Sequence, residues 1–254
     1  QLFWKICMIE KISAVIIAKN EEKNIERVLK SLTWVDEIVL CDTGSTDKTI
    51  NIAQKYNCKI YNIGWQGYGL AKQRAVNKAE NNWILSIDAD EEVSEELKKE
   101  ILEIMKNPKF NCYYIKRISF YLGKKINFCG WRNDYPKRLF NKQYGNFNDE
   151  PIHESLIING ERGRIMSPLF HYSYPDISTH FAKMNLYSDI AAEKLKAKSF
   201  HSSILHAILF GISKFINMYI IKLGFLDGRV GFLLCLNSAI GVYLKYIKTW
   251  KIKN

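Results

Sequence analysis

The sequence lacks any recognisable cysteine pattern. The chain has 254 residues and six cysteines. They are scattered, with no C-x-x-C pair and no cluster of cysteine and histidine. This spacing argues against a zinc module, and a chain of this size does not need a disulfide scaffold. We therefore expect reduced thiols and a cytoplasmic protein.

Two further patterns are missing. No stretch offers about 20 uninterrupted apolar residues, the length of a membrane-spanning helix, so no span is predicted. The first apolar run is not followed by the glycine-rich G-x-G-x-x-G turn of dinucleotide-binding enzymes; residues 19–22 read Lys-Asn-Glu-Glu instead. The absence of this turn argues against a dinucleotide-dependent oxidoreductase.

Acidic residues are nearly absent from the last quarter of the chain. From Lys194 onward the only acid is Asp227, among ten lysines and arginines, and the whole chain carries a net charge of +11. Such a charge favours an anionic partner, namely nucleic acid, an acidic membrane surface or a phosphorylated substrate. No nucleic-acid recognition motif is present, so nucleic acid is not expected. A non-catalytic protein that binds membranes or polyanions remains an alternative.

The same tail contains two apolar runs, 204–215 and 230–244, which end in lysine and aromatic residues. This pattern is typical of an amphipathic helical hairpin that lies in a membrane interface. The alternative is that these helices pack on the catalytic domain or on a second copy of the chain, which would make a homo-oligomer.

Strand and helix patterns alternate over the first half of the chain. Apolar runs at 12–18, 37–41, 59–63 and 83–88 alternate with helical patterns. This order predicts an α/β fold with a mostly parallel sheet. After residue 105 the sequence is aromatic and strand-like up to residue 175, with a loop expected at 171–175. We predict a catalytic domain over 11–175, divided at 105/106, and a helical extension over 176–254.

The run that ends in Asp88-Ala89-Asp90 is the most informative stretch. A short, buried strand stops at two carboxylates, and a second strand ends similarly at Asp42. In open α/β sheets, ligands bind at the carboxyl ends of the strands. Oxygen ligands in small number suit Mg²⁺ or Mn²⁺ held jointly with substrate phosphates. The alternative is that the acids only cap the following helix.

Three segments together resemble a known family. They are similar in order and spacing to the inverting family 2 glycosyltransferases, which have the GT-A fold: Ala14–Glu21, Asp42–Thr49 and Asp88–Glu91. Later segments resemble the bacterial subgroup that adds glucose to the inner core of lipopolysaccharide or lipooligosaccharide: Trp131-Arg132, Arg138–Phe140, Ile152–Glu154, His171–Tyr174 and Phe225–Gly228.

The resemblance implies roles for individual residues. Ala18, Glu21 and Asp42 correspond to nucleoside contacts, and Gln73 and Arg74 to positions near the nucleotide sugar. Asp88 would contact ribose or sugar, with Arg138 and His153 as further substrate-binding residues. The alternative for His153 is that it orients Glu154. Asp90 would bind the divalent cation. His171 is a candidate second metal ligand, and the alternative is that it is only a loop residue. Glu154 corresponds to the catalytic base, although the family more often has an aspartate there; Asp149 and Glu150 are competing candidates.

Taken together, the sequence predicts a metal-dependent inverting glycosyltransferase. The expected donor is a UDP-sugar, with UDP-glucose favoured, and the expected acceptor is an inner-core heptose. A polyprenyl phosphate, a protein or a capsular glycan is the alternative acceptor. The basic, apolar tail would place the enzyme peripherally on the cytoplasmic face of the inner membrane.

Overall fold

The computed structural model describes residues 9–150 and 154–250, which fall into two compact units. The first runs up to Arg117 and resumes over Asp134–His171; the second comprises Ile118–Asn133 and the residues from Tyr172 onward. The predicted limits of 11–175 and 176–254 refer to functional domains and stay predictions.

The first half of the chain alternates strands and helices as the apolar pattern predicts. In chain order the elements are β1 (Ile12–Ala18), α1 (Ile25–Ser31), β2 (Glu37–Asp42), α2 (Thr49–Ala53), β3 (Lys59–Asn62), α3 (Tyr68–Lys78) and β4 (Trp83–Asp88). The four strands are parallel and lie in the order β3-β2-β1-β4. Since β1, β2 and β4 are almost completely buried, their continuous apolar runs are those of a sheet covered on both faces.

The later strands extend this sheet. They are β5 (Glu91–Val93), β6 (Cys112–Tyr121), β7 (Lys124–Lys125), β8 (Lys137–Asn141), β9 (Gly145–Phe147), β10 (Leu156–Ile158) and β11 (Arg162–Tyr174), with helix α4 (Glu95–Met105) after β5. Beyond β4 the order is β8-β6-β11-β5, with β7 beside β6, so the described residues form one nine-stranded sheet and a separate β9–β10 pair. β8 is antiparallel to β4, and β11 is antiparallel to β5.

The predicted loop at 171–175 is wrong in its first four residues. His171 to Tyr174 are the end of β11, and His171 pairs with Glu91 of β5. β11 contains Pro168 and does not alternate regularly between buried and exposed residues towards its end. The period of two that identifies a half-buried strand is therefore weak there.

The core of the first unit lies between the sheet and its helices. Ile25, Val28 and Leu29 of α1 are fully buried, as the spacing i, i+3, i+4 places them on one helix face. Burying a side chain of this size contributes about 1.5–3 kcal/mol. Helix α1 thereby fixes the loop that follows β1, one of the loops at the candidate site.

The second unit contains three helices, α5 (Ile177–Ala197), α6 (Ile204–Ile216) and α7 (Gly228–Thr249). A π-helical turn, Asn217–Ile221, and a 3₁₀ turn, Gly224–Asp227, connect α6 to α7. The buried Asp227 accepts hydrogen bonds from the backbone amides of Asn127 and Phe128, at 3.0 and 2.9 Å. One carboxylate thus joins this turn to the 127–128 segment.

Helices α6 and α7 expose many large apolar side chains. Those of α6 are Ile204, Leu205, Ile208, Leu209, Phe210, Ile212 and Ile216, and those of α7 include Phe232, Leu233 and Leu236. Ile204–Ile221 and Gly224–Thr249 have the length and apolar composition of membrane spans, and 17% and 28% of their most apolar windows are buried. These helices pass on length and composition alone, so the expectation of no span stays a prediction.

Candidate active site

The carboxyl ends of β1, β2 and β4 bring together residues from three parts of the chain. In the sheet register Ala18 pairs with Asp42, and Ile17 pairs with Asp88. Ala18, Asp42 and Asp88 therefore lie at the same edge, as expected for a parallel sheet. This is the edge where open α/β sheets bind ligands.

Two cations hold the carboxylate of Asp88. Lys72 Nζ lies 2.9 Å from Oδ1, and Arg138 Nη2 donates to Oδ2. Burial by itself would raise the pKa of Asp88, but the charges of Arg138 and Lys72 outweigh it and hold that pKa well below its ordinary value. Asp88 is therefore ionised at neutral pH, and its charge is matched inside the protein.

Glu91 is a central residue of the site that the sequence analysis did not single out. Its side chain is fully buried, and Oε2 accepts the backbone N–H of Asp88 at 3.0 Å. Oε1 accepts from Arg138 Nη2 at 2.6 Å and from Arg117 Nη1 at 3.1 Å. Arg117 in turn donates to Asp134, 2.7 Å away. Glu91 thus fixes both the turn after β4 and the arginine that binds Asp88.

Lys72 and Glu154 complete a row of alternating charges. Lys72 Nζ lies 2.6 Å from Glu154 Oε1, and its side chain is 6% exposed. Burial would lower the pKa of Lys72, but Asp88 and Glu154 raise it above its ordinary value. The row, which we call the charge row, comprises Glu154, Lys72, Asp88, Arg138, Glu91, Arg117 and Asp134.

Helix α3 is held tightly against the chain that leads to Glu154. Gly69 donates its N–H to the carbonyl of Glu150 at 3.0 Å, and a Cβ at Gly69 would lie 2.2 Å from the carbonyl oxygen of Asn148. Gln73 donates its side-chain amide to the carbonyl of Phe147, 2.5 Å away. Only glycine allows this approach, which brings Lys72 to Glu154.

Asp90 and His171 form a second group at this edge. His171 Nε2 lies 3.5 Å from Asp90 Oδ1, and both side chains are largely buried. Among residues 9–150 and 154–250, no group of three or more histidine, cysteine and acidic side chains could hold a metal ion. A carboxylate and an imidazole still fit a divalent cation that takes its other ligands from substrate phosphates and water, as Mg²⁺ commonly does.

The loops after β1 and β2 are joined by hydrogen bonds. Asp42 accepts from the backbone amides of Gly44 and Ser45 at 3.1 Å, and the carbonyl of Ala18 accepts from the Thr43 backbone and hydroxyl. The backbone N–H of Glu21 donates to Thr49 Oγ1 at 2.8 Å. Asp42 therefore forms the turn before Gly44, whose φ is 106°, and its nucleoside contact stays a prediction.

Of two other predicted residues, Arg74 and His153, the structure describes only Arg74. Arg74 donates to the carbonyl of Ile63 at 2.8 Å and to Gln66 at 2.5 Å, so it braces the loop before α3 and is not part of the charge row. His153 lies outside the described residues. The structure therefore brings together Asp88, Arg138 and Glu154 in one group and Asp90 and His171 in another.

Comparison with known proteins agrees with this architecture. Residues 13–164, more than half of the chain, match the model of the family Glycosyl transferase family 2. An uncharacterized glycosyltransferase of Rickettsia bellii is 31% identical over 96% of this chain and 86% of its own length. The lipopolysaccharide core biosynthesis glycosyltransferase LpsC of Rhizobium meliloti is 25% identical over 94% of this chain and 92% of its own.

Among solved structures, S. aureus TarS in complex with UDP-GlcNAc superposes with a TM-score of 0.48 at 16% identity, covering 92% of this chain and 81% of that one. The sequence matches, not this superposition, decide the class: the chain is a glycosyltransferase. It belongs to glycosyl transferase family 2, and the predicted α/β, GT-A-type fold is confirmed.

Proposed function

We propose that this protein transfers glucose from UDP-glucose, with inversion, to a heptose of the lipopolysaccharide or lipooligosaccharide inner core. The observation that carries the proposal is the juxtaposition at one sheet edge of Asp88 in the charge row with the Asp90–His171 pair. The relation to LpsC, whose name refers to lipopolysaccharide core biosynthesis, supports the choice of acceptor.

The donor's diphosphate is the group that needs positive charge. Asp90 and His171 would hold a Mg²⁺ or Mn²⁺ ion, which supplies Lewis-acid stabilisation of the departing UDP. Arg138 is buried, and its Nε has no hydrogen-bond partner among the described residues. The ion pairs around Asp88 keep its carboxylate ionised and oriented, so that it can accept hydrogen bonds from sugar or ribose hydroxyls.

Glu154 is the proposed base. As the acceptor oxygen forms its bond to the anomeric carbon, the bond from that carbon to the diphosphate breaks, and the hydroxyl proton passes to a Glu154 oxygen. Attack from the face opposite to UDP converts the α-linked donor into a β-glycoside. General-base assistance of this kind typically contributes 10²–10⁴-fold in rate.

The exposed apolar residues of α6 and α7 support a membrane location. Leu205, Leu209 and Ile212 of α6 are each more than half exposed. Lys214 is on the same helix, and Lys222 directly follows the π-helical turn after it. Apolar side chains beside cationic ones suit the interface of an anionic membrane, where a lipid-anchored acceptor would be found. We place the protein peripherally on the cytoplasmic face of the inner membrane.

The first experiment is to measure UDP release by the purified protein from a panel of UDP-sugars, with Mn²⁺, Mg²⁺ or EDTA. We expect metal-dependent release from UDP-glucose that Asp90→Ala abolishes and Glu96→Ala, an exposed carboxylate on α4, leaves unchanged. A UDP-binding titration accompanies it, because release can require the acceptor. Lack of UDP binding at any metal concentration would contradict the proposal.

The acceptor is tested separately with a heptose-containing core oligosaccharide, a polyprenyl phosphate and a capsular oligosaccharide. The proposal expects β-glucosylation of the heptose, identified from the anomeric coupling constant of the product. Faster transfer to either of the other two would assign a different acceptor to the same enzyme.

A further inference from the structure

Lys72 contacts two carboxylates that have separate tasks in the proposed reaction. Its Nζ lies 2.9 Å from Asp88, on the donor side, and 2.6 Å from Glu154, the proposed base. We propose that Lys72 is the positioning residue for Glu154, holding one carboxylate oxygen so that the other faces the acceptor hydroxyl. This inference rests on the proposed function, because it assigns Glu154 as the base.

Asp88 does not depend on Lys72 alone. Arg138 also pairs with Asp88, and the Asp88 backbone is held by Glu91. For Glu154, by contrast, the ion pair with Lys72 is the one polar side-chain contact within the described residues. Of the two carboxylates, Glu154 is therefore the one whose orientation depends more on Lys72.

Glu154 needs such a partner because its backbone belongs to neither a helix nor a strand. Ser155, which follows it, is tied to Asn148 by two hydrogen bonds of 2.9 and 3.0 Å. These bonds place the chain but not the Glu154 side chain, which is 18% exposed. A carboxylate has two oxygens, so a bond from Lys72 to Oε1 orients Oε2 without occupying it.

Lys72 is itself well fixed. Gly69 and Gln73, one helical turn before it and one residue after it, bind the carbonyls of Glu150 and Phe147. The ammonium group lies 5.4 Å from the centre of the Phe147 ring, a distance at which a cation is attracted by the ring face. A long side chain that is held in this way loses little additional freedom when it orients a second group.

The test is a double-mutant cycle on Lys72 and Glu154. UDP release from UDP-glucose, with Mn²⁺ and the acceptor that the acceptor panel identifies, is measured for the wild type, Lys72→Met, Glu154→Gln and the double variant, and kcat and donor KM are determined separately. Misplacing a catalytic group by about 1 Å costs on the order of 10²-fold in rate. We expect Lys72→Met to lower kcat by about that factor while the donor KM changes much less.

In the Glu154→Gln background, Lys72→Met should have no further effect on kcat, because residues that act as a unit are not additive. Lys72→Arg, which keeps the cation, should retain most of kcat. Lys78→Met is the matched control: Lys78 is on the same helix but exposed, and its replacement should leave both constants unchanged.

Two results would overturn the inference. One is a rise in donor KM with kcat unchanged, which would assign Lys72 to the donor alone. The other is an equal loss of kcat in both backgrounds. Lys72→Gln, a neutral donor to both carboxylates, replaces Lys72→Met in the cycle if the latter does not fold. An active wild type with an additive cycle contradicts only this inference, whereas a wild type that binds no UDP contradicts the proposed function and this inference with it.

Discussion

The two units of this protein distribute charge and hydrocarbon in opposite ways. The first contains the row of seven charged side chains, in which Glu91 and Arg138 are almost inaccessible and Asp88 and Asp134 are partly exposed. The second exposes apolar side chains such as Leu205 and Leu209 on its helices. Buried charges and exposed apolar side chains both make the folded chain less stable in water unless a partner compensates them. In the first unit the compensation is internal, through ion pairs, whereas for the second we propose that it comes from the membrane interface.

The largest effect on stability is expected when one charge is removed from the middle of the charge row. Glu91→Gln keeps the shape but leaves Arg117 and Arg138 without their shared carboxylate. Removing one partner of a buried ion pair typically costs about 3–5 kcal/mol. We expect a loss of this size in the free energy of unfolding measured with urea. Glu96→Gln, on an exposed position of α4, should change it by less than about 1 kcal/mol.

The second prediction concerns the exposed helices. Leu205→Asn combined with Leu209→Asn should weaken binding to vesicles of anionic phospholipid by about 10²-fold or more, since each buried leucine contributes about 1.5–3 kcal/mol. Co-sedimentation with the vesicles measures this. Ile157→Asn, which removes an equally exposed apolar residue from β10 of the first unit, is the control. Equal binding by all three proteins would show that α6 does not contact the membrane.

A third prediction uses a buried carboxylate away from the candidate site. Glu37, at the start of β2, pairs with Lys59 at 2.7 Å. Burial would raise the pKa of Glu37, but hydrogen bonds from Lys59, Ser13 and the Glu80 backbone lower it below its ordinary value. Its contribution to stability is therefore present above the unfolded pKa of about 4.3 and is lost as the pH falls through the folded pKa.

The difference in the free energy of unfolding between the wild type and Glu37→Gln should accordingly be constant near neutral pH and shrink as the pH is lowered below about 4.3. Urea titrations at several pH values measure it. A difference that grows on acidification would contradict the sign of the shift.

The smallest effect is expected for an ion pair in contact with water. Lys106 and Glu103 lie 2.5 Å apart on α4 and its C-terminal cap, and both are more than half exposed. Exposed pairs of this kind contribute about 0.2–1 kcal/mol. Lys106→Gln should therefore change the free energy of unfolding by less than about 1 kcal/mol. A loss as large as that of Glu91→Gln would mean that burial is not what makes the charge row important.

The parallel half of the fold could be predicted from the sequence because each strand is a short apolar run that ends at a polar turn. Asp42 and Asp88 were identified for the same reason, since strand ends of a parallel sheet share an edge. Lys72 was not identified, because its partner Glu154 is 82 residues away and no local pattern links them. No local pattern distinguishes Glu91 from its neighbour Glu92; the two differ in burial, with 0% and 32% of the side chain exposed.

His171 illustrates the opposite case. The resemblance assigned it to the metal site, and it lies beside Asp90, yet the local pattern predicted a loop where the chain forms a strand. Pairing with β5 is a tertiary contact, and such contacts override weak local signals. Candidate metal-binding and catalytic side chains were therefore easier to predict than the secondary structure that positions them.

The charge row also limits how this sequence can diverge. A neutral replacement at Arg117 would leave Glu91 with Arg138 alone and Asp134 without a cation among the described residues. A neutral replacement at Glu91 would leave Arg117 with Asp134 alone and Arg138 with Asp88 alone. Substitutions along the row are therefore tolerated mainly in compensating pairs. An alignment of relatives should show correlated exchanges at Glu91, Arg117 and Asp134, with positive and negative residues lost or gained together.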